Sequence, residues 1–153
     1  MKRSAGLLLY RQHGELVEVL LGHPGGPFFA RKDDGVWTIP KGEYESDEAP
    51  LAAAYREFTE EIGTAPPDGD PVPLGETLQS NAKIAVVWAL EGYLDVHSIS
   101  CNLFELEWPP RSGRLQSFPE LDRAAWFDLA TARRKAFASQ VPFFDRLEDH
   151  LRR

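Results

Sequence analysis

Residues 48–62, "EAPLAAAYREFTEEI", constrain this chain more than any other stretch. Leu51, Tyr55, Phe58 and Ile62 fall at i, i+4, i+7 and i+11, which is one apolar stripe on a helix and no coherent face on a strand. Ser46 or Asp47 can cap the start, Pro50 is tolerated in the first turn, and Gly63 can end the helix. Every other apolar run is short and bounded by Gly, Pro or polar clusters, so the rest of the chain reads mainly as strands.

"AGLLLY" (5–10) and "LVEVLLG" (16–22) predict strands joined by the polar turn "RQHGE". "HPGGPFFARKDDG" is too rich in Gly and Pro for regular structure, and "VWTI" (36–39) predicts a short strand ending at Pro40. After the helix, "APPDGDPVP" (65–73) predicts a loop, followed by strands at 74–80, 84–91 and 103–107. A second long loop over 108–120 precedes a strand at "AAWFDL", and two helices are expected at 129–138 and 142–151. Strands interleaved with a few helices predict the α/β class, a mixed β-sheet with helices packed on it. At 153 residues, with no repeat and no low-complexity segment, one domain over 1–153 is expected.

The longest apolar run, "IAVVWAL" (84–90), is far below the ~20 residues that span a bilayer. The apolar stretch near the N-terminus ends at Tyr10 and Arg11, too early for a secretory signal. The single cysteine, Cys101, excludes an intrachain disulfide and fits a reducing compartment, so a cytoplasmic protein without a membrane partner is expected. With no supporting motif, Cys101 reads as a packed small thiol. A net charge of −7 argues against a smooth basic face for duplex nucleic acid, so an anionic substrate would need local cations or bound metal. His13, His23, His97 and His150 share no ligand spacing, which argues against zinc.

Three glutamates crowd the end of the helix. Glu57, Glu60 and Glu61 share one face, away from the apolar stripe, and the simplest reading is a solvated acidic surface. Two local effects oppose that reading. Glu57 and Glu61 are a like-charge i, i+4 pair, destabilising by a few tenths of a kcal/mol. Glu60 and Glu61 also lie in the last turn, where the helix dipole favours cations. Breaking several local rules together is characteristic of a functional site. Carboxylate oxygens suit Mg²⁺ or Mn²⁺. Upstream, "PKGE" (40–43) offers Lys41 to pair with a phosphate and Gly42 to let backbone approach a metal or ligand. Arg56 can hold a neighbouring carboxylate in place.

The segment "GEYESDEAPLAAAYREFTEEIGT", residues 42–64, resembles the Nudix box, G-x5-E-x7-R-E-U-x-E-E-x-G-U with U a bulky aliphatic. Gly42, Glu48, Arg56, Glu57, Phe58, Glu60, Glu61 and Gly63 fall at matching positions, while Phe58 is aromatic and Thr64 replaces the final aliphatic. The resemblance implies a Nudix hydrolase: an α/β/α sandwich around a mixed sheet that cleaves a nucleoside diphosphate linked to another group. By that likeness Glu57, Glu60 and Glu61 bind Mg²⁺, with Mn²⁺ a substitute, and the Gly42 carbonyl adds a ligand. Arg56 completes the catalytic set, and Glu48 and Gly63 are structural. Either Glu57 or Glu61 can take the proton of the attacking water.

Relatives also use a later glutamate, and Glu120 in "FPELDRAAWF" is the candidate extra metal ligand; Glu105 and Glu107, in "FELEW", read instead as the solvated side of a strand. "WTIPKG" and "SAGLLLYR" resemble diadenosine polyphosphate and diphosphoinositol hydrolases, which favours diadenosine tetraphosphate or a similar nucleoside polyphosphate as the small-molecule substrate. Housecleaning hydrolysis of oxidised nucleoside triphosphates is the alternative, and a non-catalytic nucleotide sensor the third reading. Lys41, Arg31 and Lys83 are the candidate substrate-binding cations; Lys32, Arg111 and Arg114 are further surface charges. Phe28, Phe29, Trp88 and Trp108 are candidates for base stacking. A monomer or a homodimer fits the chain.

Overall fold

The computed structural model describes residues 1–153, the side chain of Ser98 apart. Strands β1 (Lys2–His13) and β2 (Leu16–Pro24) lead to the short β3 (Lys41–Glu43) and helix α1 (Pro50–Ile62). β4 (Val72–Ser80), β5 (Lys83–Glu91), β6 (Leu103–Glu107), β7 (Leu115–Pro119) and β8 (Leu121–Asp128) follow, and α2 (Leu129–Lys135) and α3 (Val141–Leu151) close the chain. The main sheet has the order β4-β5-β1-β2-β8, with β3 added to β1. β1 and β5 run parallel and the other pairs antiparallel, so the sheet is mixed.

β1 is buried continuously from Ser4 to Tyr10, and its alternating side chains feed two separate cores. Leu7 and Leu9 pack with Phe58 and Ile62 of α1 on one face. Leu8 and Tyr10 pack with Leu129, Ala132, Phe143, Phe144 and Leu147 of α2 and α3 on the other. The expected α/β/α sandwich is therefore the observed layer order. Among the described residues no helix is long and apolar enough to cross a membrane.

The sheet opens where the site lies. β1 and β2 pair only from Tyr10↔Val19 to His13↔Leu16, and nearer the start of β1 its edge is taken by β3, through Ser4↔Glu43, Ala5↔Gly42 and Gly6↔Lys41. Thr38 bridges to Gly22 of β2, and the Leu7 N–H donates to the Pro40 carbonyl at 3.2 Å. Residues 37–43 thus fill the gap between two diverging strands.

Four expectations are corrected. "VWTI" makes only isolated bridges, Gly22↔Thr38 and Trp37↔Ala136, and the strand lies after Pro40, because Pro40 has no N–H to donate to a ladder. The 108–120 loop contains β7, paired with β6 from Leu103↔Pro119 to Glu107↔Leu115. Neither Ser46 nor Asp47 caps α1; Ala49 occupies the cap position without a side-chain bond, and Pro50 removes one of the N–H groups that would need one. α2 stops at Lys135, so Phe137 leaves the helix and its N–H donates to the Trp37 carbonyl at 3.0 Å.

Candidate active site

Gly63 ends α1 in the left-handed region (φ 88°), its N–H donating to the Thr59 carbonyl. The remaining carbonyls of the last turn are met by a passing segment: Ser100 N–H donates to Ile62 (2.9 Å) and Asn102 N–H to Glu60 (3.0 Å). The Asn102 carbonyl in turn accepts the Glu120 N–H at 2.9 Å, and the Glu120 carbonyl accepts the Gly25 N–H at 2.9 Å. One chain of backbone hydrogen bonds therefore carries Glu120, remote in sequence, to the acidic end of α1.

Arg56 organises the exposed side of this end. Its Nε and Nη2 hold the two Glu48 oxygens at 2.8 Å each, and its Nη1 reaches Glu57 Oε1 at 2.9 Å and Glu60 Oε2 at 3.2 Å. The Glu48 carboxyl is lowered by this fork, and the guanidinium is raised chiefly by Glu48. Glu57 moves the opposite way: burial raises its carboxyl despite the Arg56 hydrogen bond, and Glu60 and Glu120 add repulsion. Glu57 also lies against Gly42, where any added Cβ would run into its carboxylate. A side chain at this position would have to displace the Glu57 carboxylate from the β3 backbone.

The glutamates do not share one solvated face. Glu61 is 6% exposed, and its Oε2 is buried with no hydrogen-bond partner. A helical wheel cannot register that β3, the 100–102 segment and Glu120 wrap the helix end from outside. Burial, then the charges of Glu57 and Glu120, push the Glu61 carboxyl up to about 9, with the Lys41 amide and ammonium pulling it down. Lys41 is pushed down by burial, opposed by Glu61. Both members of this pair move toward neutrality, as expected for charges held out of water.

Lys41, Glu61 and Glu120 face a cavity of about 480 Å³, bounded elsewhere by Phe29, Phe104, Phe137 and the polar side chains of Gln79 and Gln140. A larger hollow, about 730 Å³ at the β1–β2 turn, contains no residue of the 42–64 segment, so size alone does not locate the site. Of the expected substrate-binding cations, Lys41 lines the cavity. Lys83 is exposed at the start of β5, near enough to lower Lys41, and Arg31 is exposed and absent from the cavity wall. Of the stacking candidates only Phe29 lines it. Phe28 meets Trp108 edge-on at 5.4 Å, and Trp88 packs on the α1 side of the sheet. Phe104 and Phe137 were missed; the alternation in "FELEW", with Glu105 and Glu107 exposed, was the available signal for Phe104 pointing inward.

The donor set suits a hard divalent cation: carboxylate oxygens, an unpartnered buried Oε2 on Glu61, and a glycine backbone pressed against Glu57. Among the described residues no three acidic, histidine or cysteine side chains converge closely enough to hold a metal as they stand. Arg56 pairs with Glu57 and Glu60 instead. When bound, such a cation neutralises phosphate oxygens and acidifies a water. The chain's own contribution is the buried Glu61 carboxyl, the Lys41 amine in the same cavity, and aromatic side chains along its wall.

The NUDIX domain family model matches residues 1–147. An RNA pyrophosphohydrolase of Gluconacetobacter diazotrophicus is 38% identical over 69 residues, covering 41% of this chain and 37% of that protein. One of Helicobacter pylori is 36% identical over 64 residues, covering 37% and 41%. The matches thus span about two fifths of these curated relatives. Among solved structures, a C. elegans Ap4A hydrolase binary complex superposes with a TM-score of 0.70 at 20% identity, covering 99% of this chain and 98% of that one. The NUDIX domain of Shewanella oneidensis NrtR, complexed with ADP ribose, superposes at 0.63 and 16% identity, covering 97% and 87%. At these identities the structures establish the fold alone.

Proposed function

Because the chain belongs to the Nudix family, we propose that it is a Mg²⁺-dependent pyrophosphohydrolase acting on a nucleoside diphosphate linked to another group, with diadenosine tetraphosphate or a similar nucleoside polyphosphate as its substrate. One observation carries the reading: Glu61, which holds a buried and unpartnered carboxylate oxygen, lines a cavity together with Lys41 and Glu120. A stabilising surface would not be built this way, and a site for a cation and a polyphosphate would. Glu57, Glu60, Glu61 and Glu120, with the Gly42 carbonyl, hold the cation. Lys41 meets a phosphate, with Lys83 further out, and Arg56 and Glu48 fix the carboxylates. Phe29, Phe104 and Phe137 offer apolar surface to a base.

A second reading is favoured by the local matches to proteins named RNA pyrophosphohydrolase: the polyphosphate is then the 5′ end of an RNA. Incubation with Mg²⁺ and diadenosine tetraphosphate, 5′-triphosphorylated RNA, oxidised dGTP and ADP-ribose, with products separated by chromatography, distinguishes these. Conversion of the dinucleotide to ATP and AMP is the expected result. Preferred release of pyrophosphate from RNA replaces the leading substrate with the second reading, and preferred hydrolysis of oxidised dGTP selects the housecleaning reading. Glu60→Gln with Glu61→Gln is expected to abolish turnover. Full activity in that double variant overturns the metal assignment.

A further inference from the structure

The cations of this chain are unevenly engaged. In a molecule of net charge −7, most lysines and arginines pair with a carboxylate. The proposed function gives Lys41 and Lys83 to phosphate, and Arg146 donates to the Leu74 and Glu76 carbonyls. Among the described residues, the other cations without an ion pair are Arg31, Lys32, Arg111 and Arg114. All four are exposed, and they come from only two segments, the 25–35 loop and the turn between β6 and β7. Acidic residues close to them in sequence are occupied, Asp33 and Asp34 by Lys135, and Glu107 by the Arg111 N–H at 2.9 Å.

These two segments touch along an aromatic stripe that starts at the cavity. Alternation in β6 half-buries Phe104, Leu106 and, just past the strand, Trp108, while Glu105 and Glu107 stay exposed. Phe104 lines the cavity, and Gly26 of the loop lies so close that an added Cβ would stand 3.0 Å from its ring. Two residues on, Phe28 meets Trp108 edge-on at 5.4 Å yet remains 57% exposed. Lys32 Nζ stands 5.7 Å from the ring of Phe29, another wall residue, so the free cations begin at the cavity mouth. An edge-on aromatic pair alone would be packing between two loops. Unpaired cations in both segments are the independent sign of an anionic ligand. Trp108 lies four residues beyond Phe104, about 13 Å along the hairpin. Stacked neighbours in a nucleic-acid strand are only about 3.4 Å apart. A base at Trp108 and another in the cavity therefore suit two nucleosides held apart by several phosphates.

We propose that Phe28 and Trp108 form an outer subsite that stacks the second base of a dinucleoside polyphosphate, with Arg31, Lys32, Arg111 and Arg114 attracting the phosphate chain that leads to it. The proposal rests on the reading of the cavity as a polyphosphate site, and it commits that site to substrates with a nucleoside at each end. The outer subsite binds and breaks no bond, so its contribution falls on KM.

The test compares steady-state hydrolysis, with Mg²⁺, of diadenosine tetraphosphate and of adenosine tetraphosphate, which lacks the second nucleoside. The full chain is assayed as wild type, Phe28→Ala, Trp108→Ala and an Arg111→Asn, Arg114→Gln double variant, asparagine being chosen because position 111 has a φ of 61°. Phe28 is exposed enough that its loss spares the fold, and Trp108→Leu replaces Trp108→Ala should the latter fail to fold. In wild type the dinucleotide is expected to have the lower KM. Each aromatic variant is expected to raise that KM about tenfold, as loss of one base–aromatic stack does, and to shift the KM for adenosine tetraphosphate less than twofold. The arginine double variant is expected to raise the dinucleotide KM about threefold at low salt and to converge on wild type at high salt. Equal rises for both substrates overturn the outer subsite, because the loops then only shape the cavity. An unchanged dinucleotide KM in both aromatic variants overturns it too and leaves the cavity reading standing. A 5′-triphosphorylated RNA whose KM alone rises in those variants overturns the dinucleotide assignment in favour of a strand. Turnover of none of the three by wild type removes both readings together.

Discussion

Glu61 is the buried carboxylate of the proposed site, and its environment has a measurable consequence for the metal-free chain. Its carboxyl is pushed up to about 9 in the folded state from an ordinary 4.5. Between those values the folded chain holds a proton that the unfolded chain has released, so stability falls as pH rises through the interval. The loss is on the order of a few kcal/mol, limited by whatever relaxation lets water reach the group. Thermal denaturation of metal-free protein from pH 5 to pH 9 is therefore expected to show a declining Tm, and Glu61→Gln is expected to flatten the decline. An equal slope in the two proteins would show that Glu61 does not carry the effect. The identity and spacing of this glutamate were legible in the sequence, but its burial was not. The groups that cover it come from Lys41, Glu120 and the 100–102 segment, none of them on the helix.

At the scale of elements, α1 meets the sheet through small side chains. The apolar stripe drawn from Leu51, Tyr55, Phe58 and Ile62 holds for Phe58 and Ile62, but Leu51 and Tyr55 are only half-buried. The fully buried positions of the first two turns are Ala53 and Ala54, packed on Ala5 of β1. Alanine contributes little to a count of hydrophobicity, so the stripe read from the large residues was rotated away from the true contact. What the alanines supply is closeness, which lets Glu57 reach the backbone of Gly42. Ala54→Leu adds a branched side chain where no room exists, an overpacking that typically destabilises by about 1–3 kcal/mol. It is also expected to move the carboxylates off β3, so that Mn²⁺ affinity falls by more than the lost stability alone would cause. Unchanged Mn²⁺ binding in a folded Ala54→Leu protein would refute the link between helix approach and site geometry. The C-terminal end of α1, by contrast, was legible, because Gly63 stops the helix by its own backbone preference.

Across the whole molecule, the two layers of helices serve one opening in the sheet. α1 brings the carboxylates from one side, and residues 37–43 occupy the gap between β1 and β2. The opposite layer reaches the same segment through Gln140, just ahead of α3. Its Oε1 accepts the Ile39 N–H at 2.8 Å, and its Nε2 donates to Thr38 Oγ1 at 2.9 Å. Gln140 is 2% exposed and Ile39 fully buried, so neither amide has water as an alternative partner. In the sequence this glutamine reads as a polar residue at a helix start, because its partner lies 101 positions away. A mixed sheet with helices packed on it was legible from local patterns and the α/β/α sandwich from the family resemblance, whereas this bond across the layers depends on the folded topology. Gln140→Leu keeps a similar volume and leaves the Ile39 N–H unpaired in the core, a loss of about 1–3 kcal/mol. For a domain of this size that lowers Tm by roughly 2–4 °C for each kcal/mol. Because Thr38 and Lys41 share the cavity wall with Gln140, the same substitution is expected to raise KM for the nucleotide substrate more than it lowers kcat. A variant with reduced Tm and an unchanged KM would show that Gln140 supports the sheet without positioning the substrate wall.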